Sequence, residues 1–117
     1  MSVDKTGNNV PESKTVGVLA EKGVRIAEQS SIDSLSQRGY GTSENDVLTL
    51  AFYEALYLLD KELLEVRNEK GGQVDFQAIL QTYEKTAPNA WVNYLFYRDL
   101  RSRGYVVREG FGVGTDF

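Results

Sequence analysis

The run Tyr97-Arg98-Asp99-Leu100-Arg101-Ser102-Arg103-Gly104-Tyr105-Val106-Val107-Arg108-Glu109-Gly110-Phe111-Gly112-Val113-Gly114-Thr115-Asp116-Phe117 changes its period in the middle. Up to Arg103 it reads as the end of a helix, with Arg98, Arg101 and Arg103 placed where cations meet the negative end of the helix dipole. Gly104 suits the left-handed residue that stops such a helix. From Tyr105 the odd positions are Tyr105, Val107, Glu109, Phe111, Val113, Thr115 and Phe117, while the even ones are mostly glycine or charged. That alternation is a strand period. Glycines at 110, 112 and 114 favour a hairpin turn over one long strand.

Upstream, the same helix extends back to Ala90 and holds Trp91, Val92, Tyr94, Leu95, Phe96, Tyr97 and Leu100. Its first half is apolar nearly all round, the pattern of a helix buried between two layers. Pro88-Asn89 breaks the chain before it, and Asn89 is the expected cap. Asp75 is expected to cap a preceding helix from Phe76 to about Thr86, where Phe76, Ile79, Leu80 and Tyr83 form one stripe. Phe52, Ala55, Leu56 and Leu59 form another on the helix at 51–59. The predicted core is Phe52, Leu56, Leu59, Phe76, Ile79 and Leu80. Between these helices, Leu63 to Arg67 is strand-like and runs into the turn sequence Glu69-Lys70-Gly71-Gly72. Val47 to Leu50 fits a strand or the first turn of a helix, since four residues cannot establish a period. Val16–Ala20 and Val24–Glu28 read as a hairpin, followed by a short helix capped by Ser30 or Ser31 and stopped at Gly39.

Composition narrows the chemistry. Cysteine and histidine are both absent, which removes disulfides, thiolate metal sites and histidine-based triads. No D-x-[DN]-x-[DN]-G run is present for a calcium loop, so no metal or cofactor is expected. No apolar run approaches the roughly 20 residues of a membrane span, and residues 1–15 lack the apolar stretch of a signal peptide. Those fifteen residues read as a disordered lead-in, and cytoplasmic residence without a membrane is the simplest expectation. The net charge of −4 argues against a chain-wide nucleic-acid surface. Residues 1–88 hold nine Lys/Arg and fourteen Asp/Glu, whereas 89–117 hold four arginines and three acids, so a polyanion contact would favour the carboxy-terminal segment.

Three blocks resemble archaeal tRNA splicing endonucleases, the tRNA-intron lyases. Tyr40-Gly41 before Leu48-Thr49-Leu50 and Glu54-Ala55-Leu56-Tyr57-Leu58-Leu59 is similar to the family's "YG … LSL-EALYL" block. Leu64-Glu65-Val66 follows at the right distance. The run from Tyr97 to Phe117 resembles the family's "YRDLR-RG-VV--GF--G-DF", the junction leading into the catalytic strand. The resemblance covers roughly residues 16 to 117. It implies an α+β chain in three parts: the lead-in at 1–15; a small amino-terminal domain of short antiparallel strands and about three helices at 16–87; and, at 88–117, a helix and two strands opening a second, truncated α/β nuclease domain.

The resemblance also implies a reaction: metal-independent removal of introns from precursor tRNA, leaving 2′,3′-cyclic phosphate and 5′-OH ends. The family uses a Tyr, His and Lys triad as base, acid and transition-state cation. All three follow the "G-DF" block, so no catalytic residue transfers to this chain, and the chain alone is expected to be inactive. Expected partners are precursor tRNA through the assembled enzyme and other endonuclease subunits, in a homo- or hetero-oligomer. The alternative is a non-catalytic structural or interaction subunit that supports a catalytic partner.

Arg98, Arg101, Arg103 and Arg108 are the candidate RNA contacts, through phosphate. The ordinary alternative is a solvated helix end, with Asp99 and Glu109 as local counter-charges. Tyr94 and Tyr97 fit RNA stacking residues less well than core packing beside Trp91, Leu95 and Leu100. Glu54 and Asp60 are six apart, on different helix faces, and read as surface. Asp116 reads as a structural hydrogen-bonding residue.

Overall fold

A computed structural model describes residues 14–106. In chain order these form β1 (Thr15–Ala20), β2 (Gly23–Ile26), α1 (Gln29–Gln37), β3 (Thr42–Glu44), β4 (Val47–Leu50), α2 (Phe52–Asp60), β5 (Leu64–Arg67), β6 (Gln73–Val74), α3 (Phe76–Thr86) and α4 (Ala90–Ser102). The strands make one six-stranded sheet in the order β3-β4-β2-β1-β5-β6. The α+β class and the β1–β2 hairpin are as the sequence predicts, and 47–50 is a strand. The expected pair of strands from Tyr105 to Phe117 lies almost wholly outside the described residues.

The sheet is mixed, which corrects the expectation of antiparallel strands. β1 runs parallel to β5, with Thr15 opposite Leu64 and Val18 opposite Arg67. The reason is the crossover. β4 lies antiparallel to β2, and β2 to β1, so β4 and β5 point the same way. Only a connection that crosses the sheet can join such strands, and α2 is that connection. β3 and β6 were not foreseen, because Thr-Ser-Glu and Gln-Val carry no apolar alternation. Turns make them. Asn45 and Asp46 take φ of 52° and 64°, the paired left-handed conformation of a two-residue hairpin. Asn68 accepts from the Lys70 and Gly72 amides to close the β5–β6 turn.

One sheet face carries Val24, Ile26, Leu48, Leu50, Leu64 and Val66, all buried, and α2 lies on it. α3 and α4 cover the other side of α2. Seven consecutive residues, Phe52 to Leu58, are therefore buried. Among the described residues the helix enclosed between two layers is α2, not α4 as the sequence suggests. Among the described residues only one side of α4 is covered: Ala90, Tyr94 and Tyr97 are buried, whereas Trp91, Val92 and Phe96 are exposed. Of the predicted core, Phe52, Leu56, Ile79 and Leu80 are buried, and Leu59 and Phe76 pack partly buried against them. Aromatic rings weld the helices together. Phe52 stacks on Tyr83 with centroids 5.4 Å apart, and Tyr97 meets Tyr53 at 4.8 Å and Tyr57 at 5.7 Å.

Helix ends separate the good guesses from the poor ones. Asp75 caps α3 by accepting from the Ala78 amide at 2.9 Å. Glu28, not Ser30 or Ser31, stands at the cap of α1, and both serine hydroxyls donate to its carboxylate. Those two hydrogen bonds favour the charged form and lower its pKa. Asn89 precedes α4 but its side chain makes no capping bond, because its backbone (φ −103°, ψ 31°) is not the extended conformation a cap uses. α1 and α4 end as predicted, with Gly39 and Gly104 at φ 85° and 93°. In each case the next amide reaches back to the helix, Tyr40 to Leu35 and Tyr105 to Leu100.

Candidate RNA-contact region and the clasp at the end of α4

The three candidate arginines among the described residues do not behave as a set. Arg103 is exposed and pairs with Asp99 one turn earlier at 3.3 Å. Arg98 lies over the Tyr94 ring, 5.8 Å from its centre. It borders a cleft of about 530 Å³ with Asp60, Glu62, Asp75, Phe76 and Trp91. Arg101 turns the other way. Its guanidinium lies 3.9 Å from the centre of the Tyr40 ring and donates to the Arg38 and Tyr105 carbonyls. Arg108 lies outside the described residues, as do Gly110, Gly112, Gly114 and Asp116.

Arg101 belongs to a clasp that fastens α4 to the turn between α1 and β3. Glu54 sits at its centre and is 5 % exposed, which corrects its reading as a surface residue. One carboxylate oxygen accepts from the Gly41 amide at 2.9 Å and the other from the Ala51 amide at 2.8 Å. The sequence held a signal for this. Glu54 is the third residue of α2, where a glutamate commonly reaches back to the amide before the helix. Asp60 is exposed, as read.

Tyr97 is buried against the same group, and Tyr94 is buried nearby, so both tyrosines serve in the core as expected. Burial pushes the Tyr97 phenol far above its ordinary pKa; the nearby Glu54 charge adds to the rise and Arg101 opposes it. Burial also raises Tyr40, again against Arg101. Beyond the helix, a Cβ placed on Gly39 would stand 2.7 Å from Val106, so the chain leaving α4 is pressed onto the same turn.

Among the described residues, no group of three or more acidic, histidine or cysteine side chains could hold a metal ion. None of their helices is long and apolar enough to cross a membrane.

The tRNA intron endonuclease N-terminal domain matches residues 15–80, from β1 into α3. A tRNA-splicing endonuclease of Methanococcus vannielii is 31 % identical over 107 residues, which is 92 % of this chain and 60 % of that protein. One from Methanopyrus kandleri is 34 % identical over 111 residues, 95 % of this chain and 59 % of the relative. One from Hyperthermus butylicus is 40 % identical over 77 residues, 66 % and 42 % of the two chains. The chain thus spans about three fifths of the length of the first of these relatives. The sheet, the crossover helix and the Tyr40–Glu54 corner all fall within the matched residues, and the chain belongs to the tRNA intron endonuclease family through its N-terminal domain.

Proposed function

We propose that this chain is the amino-terminal part of a tRNA-splicing endonuclease component that removes introns from precursor tRNA, with the cleavage chemistry supplied by residues outside this sequence. The match over residues 15–80 carries the reading, supported by relatives named tRNA-splicing endonuclease that align with 92–95 % of the chain. The sequence has no histidine, so a Tyr/His/Lys triad would require residues outside it.

Residues 16–87 would form the amino-terminal domain, and 88–117 would lead into a catalytic-type domain. Precursor tRNA and further endonuclease subunits would be the partners, in the cytoplasm. Of the candidate phosphate contacts Arg98, Arg101, Arg103 and Arg108, Arg98 and Arg103 would be the more available among the described residues, since Arg101 is engaged by Tyr40. A purely structural subunit is the second reading, favoured by that engaged arginine and by the net negative charge.

The test is to incubate the purified chain, without metal, with a precursor tRNA bearing a bulge-helix-bulge. The mixture is assayed with and without a catalytically complete tRNA-splicing endonuclease subunit. No cutting by the chain alone, with co-purification or stimulation of the complete subunit, is expected. Cuts by the chain alone would overturn the division of labour. Neither association nor stimulation would overturn the role as a component.

A further inference from the structure

The cleft beside Arg98 opens where the end of α2, the start of α3 and one side of α4 meet. Its volume of about 530 Å³ is in the range of sites that hold a ligand. Its floor is aromatic. The Tyr94 ring stands edge-on to Phe76 at 5.6 Å and tilted to Trp91 at 5.5 Å. Tyr94 is buried, whereas Trp91 is 43 % exposed, so much of the indole is open to an occupant. One cation already rests on this floor, the Arg98 guanidinium, 5.8 Å from the centre of the Tyr94 ring. Among the described residues none rests on Trp91, and indole is the ring that binds cations best.

Charge gives the cleft its preference. Asp60 ends α2, Glu62 follows it, and Asp75 stands at the cap of α3, so three carboxylates meet the single cation Arg98 and the balance is negative. Among the described residues the ion pairs are Arg67 with Glu65 and Arg103 with Asp99, which leaves all three carboxylates without a salt bridge. The Asp60 charge reaches the floor. After burial, it is the next cause that holds the Tyr94 phenol above its ordinary pKa, and Arg98 opposes it. Asp75 spends one oxygen on the Ala78 amide, so Asp60 and Glu62 supply most of the attraction for a further cation.

We propose that this cleft binds an arginine side chain presented by a polypeptide partner, with the guanidinium over Trp91 and its N–H groups shared among Asp60, Glu62 and Asp75. A phosphate or any other anion meets net repulsion there. A lysine ammonium satisfies the charge but has no plane to lay on the indole, and three donors where a guanidinium has five. Arginine comes on a polypeptide, which makes the source a protein segment and not a free polyamine. The site is independent of the RNA-processing reading, since it requires only this chain and the partner's arginine.

Trp91 is the only tryptophan, so one indole N–H signal in a proton–nitrogen correlation spectrum reports on the cleft. Capped Gly-Arg-Gly, capped Gly-Lys-Gly, putrescine and inorganic phosphate are titrated separately into the full chain at physiological ionic strength. The arginine peptide is expected to move the signal saturably at about millimolar concentration. It should bind about threefold more tightly than the lysine peptide or putrescine, and phosphate should leave the signal in place. The Asp60→Asn, Glu62→Gln double variant should weaken the arginine response about fivefold. Glu21→Gln with Glu44→Gln removes the same charge outside the cleft and should leave the response unchanged. All four of these residues are exposed, so neither variant disturbs the core. The proposal is overturned by the absence of a saturable shift with the arginine peptide, or by a response that the first variant does not weaken more than the second. A lysine or putrescine response as tight as the arginine one would overturn it too, leaving a general cation site. So would a response to phosphate, which would make the cleft an anion site.

Discussion

The guanidinium of Arg101 lies over the Tyr40 ring, 3.9 Å from its centre, joining the last turn of α4 to the exit of α1. A planar cation over an aromatic face is attracted by the ring's quadrupole, and the same group donates to the Arg38 carbonyl. Lysine has neither the plane nor the fork of donors. Arg101→Ala should cost about 1 to 3 kcal/mol, combining a cation–ring contact with a charge-assisted hydrogen bond. Arg101→Lys should recover little of it. Urea denaturation of both variants checks this; a lysine variant as stable as the parent would mean that charge alone matters at this position.

Glu54 satisfies two backbone amides from opposite directions, Gly41 from the turn and Ala51 from the start of α2. Replacing it with leucine leaves both donors buried without an acceptor. The expected loss is about 1 to 3 kcal/mol for each amide left unsatisfied. Glu54→Gln keeps one accepting oxygen and should fall between leucine and the parent. Amide exchange at Gly41 and Ala51 should accelerate in the leucine variant, and unchanged protection at both would refute the pairing.

Tyr97 has a folded-state pKa raised above the ordinary 10.0, chiefly by burial. The unfolded chain therefore loses this proton first as pH rises. The stability linked to Tyr97 is complete below pH about 10 and declines above it, because ionisation pulls the equilibrium toward the open state. Tyr40 and Tyr94 shift in the same direction and add to the decline. Tyr97→Phe should flatten the loss of stability above that pH. Chemical denaturation between pH 8 and about 11 measures the slope, and equal slopes in the two proteins would remove Tyr97 from the linkage.

Glu62 occupies the position after α2 where a helix commonly ends on glycine, and its φ is 63°. Its amide and that of Leu63 still make the closing bonds to Leu59 and Leu58. A residue with a Cβ is strained there, by about 1 kcal/mol. Glu62→Gly should relieve the strain but enlarges the unfolded ensemble, for a net gain of about 0.5 kcal/mol. Thermal unfolding tests the sign, and a lower midpoint would show that the Glu62 side chain contributes more than its backbone costs.

Much of the fold was legible because the helices announce themselves. The stripes on α2 and α3, Asp75 at a helix start, and Gly39 and Gly104 at helix ends all rest on local rules that the tertiary structure left intact. The β1–β5 pairing was not legible, since no local signal says which way a strand will run once a crossover helix has intervened. Burial of α4 was overestimated for a related reason. Trp91, Val92 and Phe96 look like core residues in composition, yet no described element lies on their side of the helix. At the candidate site, the arginines were visible as a cluster, but their opposite directions were not. Arg98 and Arg101 are three residues apart, and only the packed positions of Tyr94 and Tyr40 decide where each guanidinium goes. Glu54 was misread because its spacing from Asp60 was weighed and its place in the first turn of α2 was not.

The neighbours Thr15 and Leu64 also set a timetable. Hairpins such as β3–β4 and β5–β6 can zip up as soon as their own residues are available, since each closes over a short turn. The β1–β5 seam cannot. It requires α2 to be formed and laid across the sheet first, and the loop it closes is the longest in the sheet. During synthesis β1 and its partner β2 must wait with one flank open until β5 has emerged. Changes that slow α2 formation should therefore delay completion of the whole sheet, and the flank left waiting is the natural place for a stray strand to intrude.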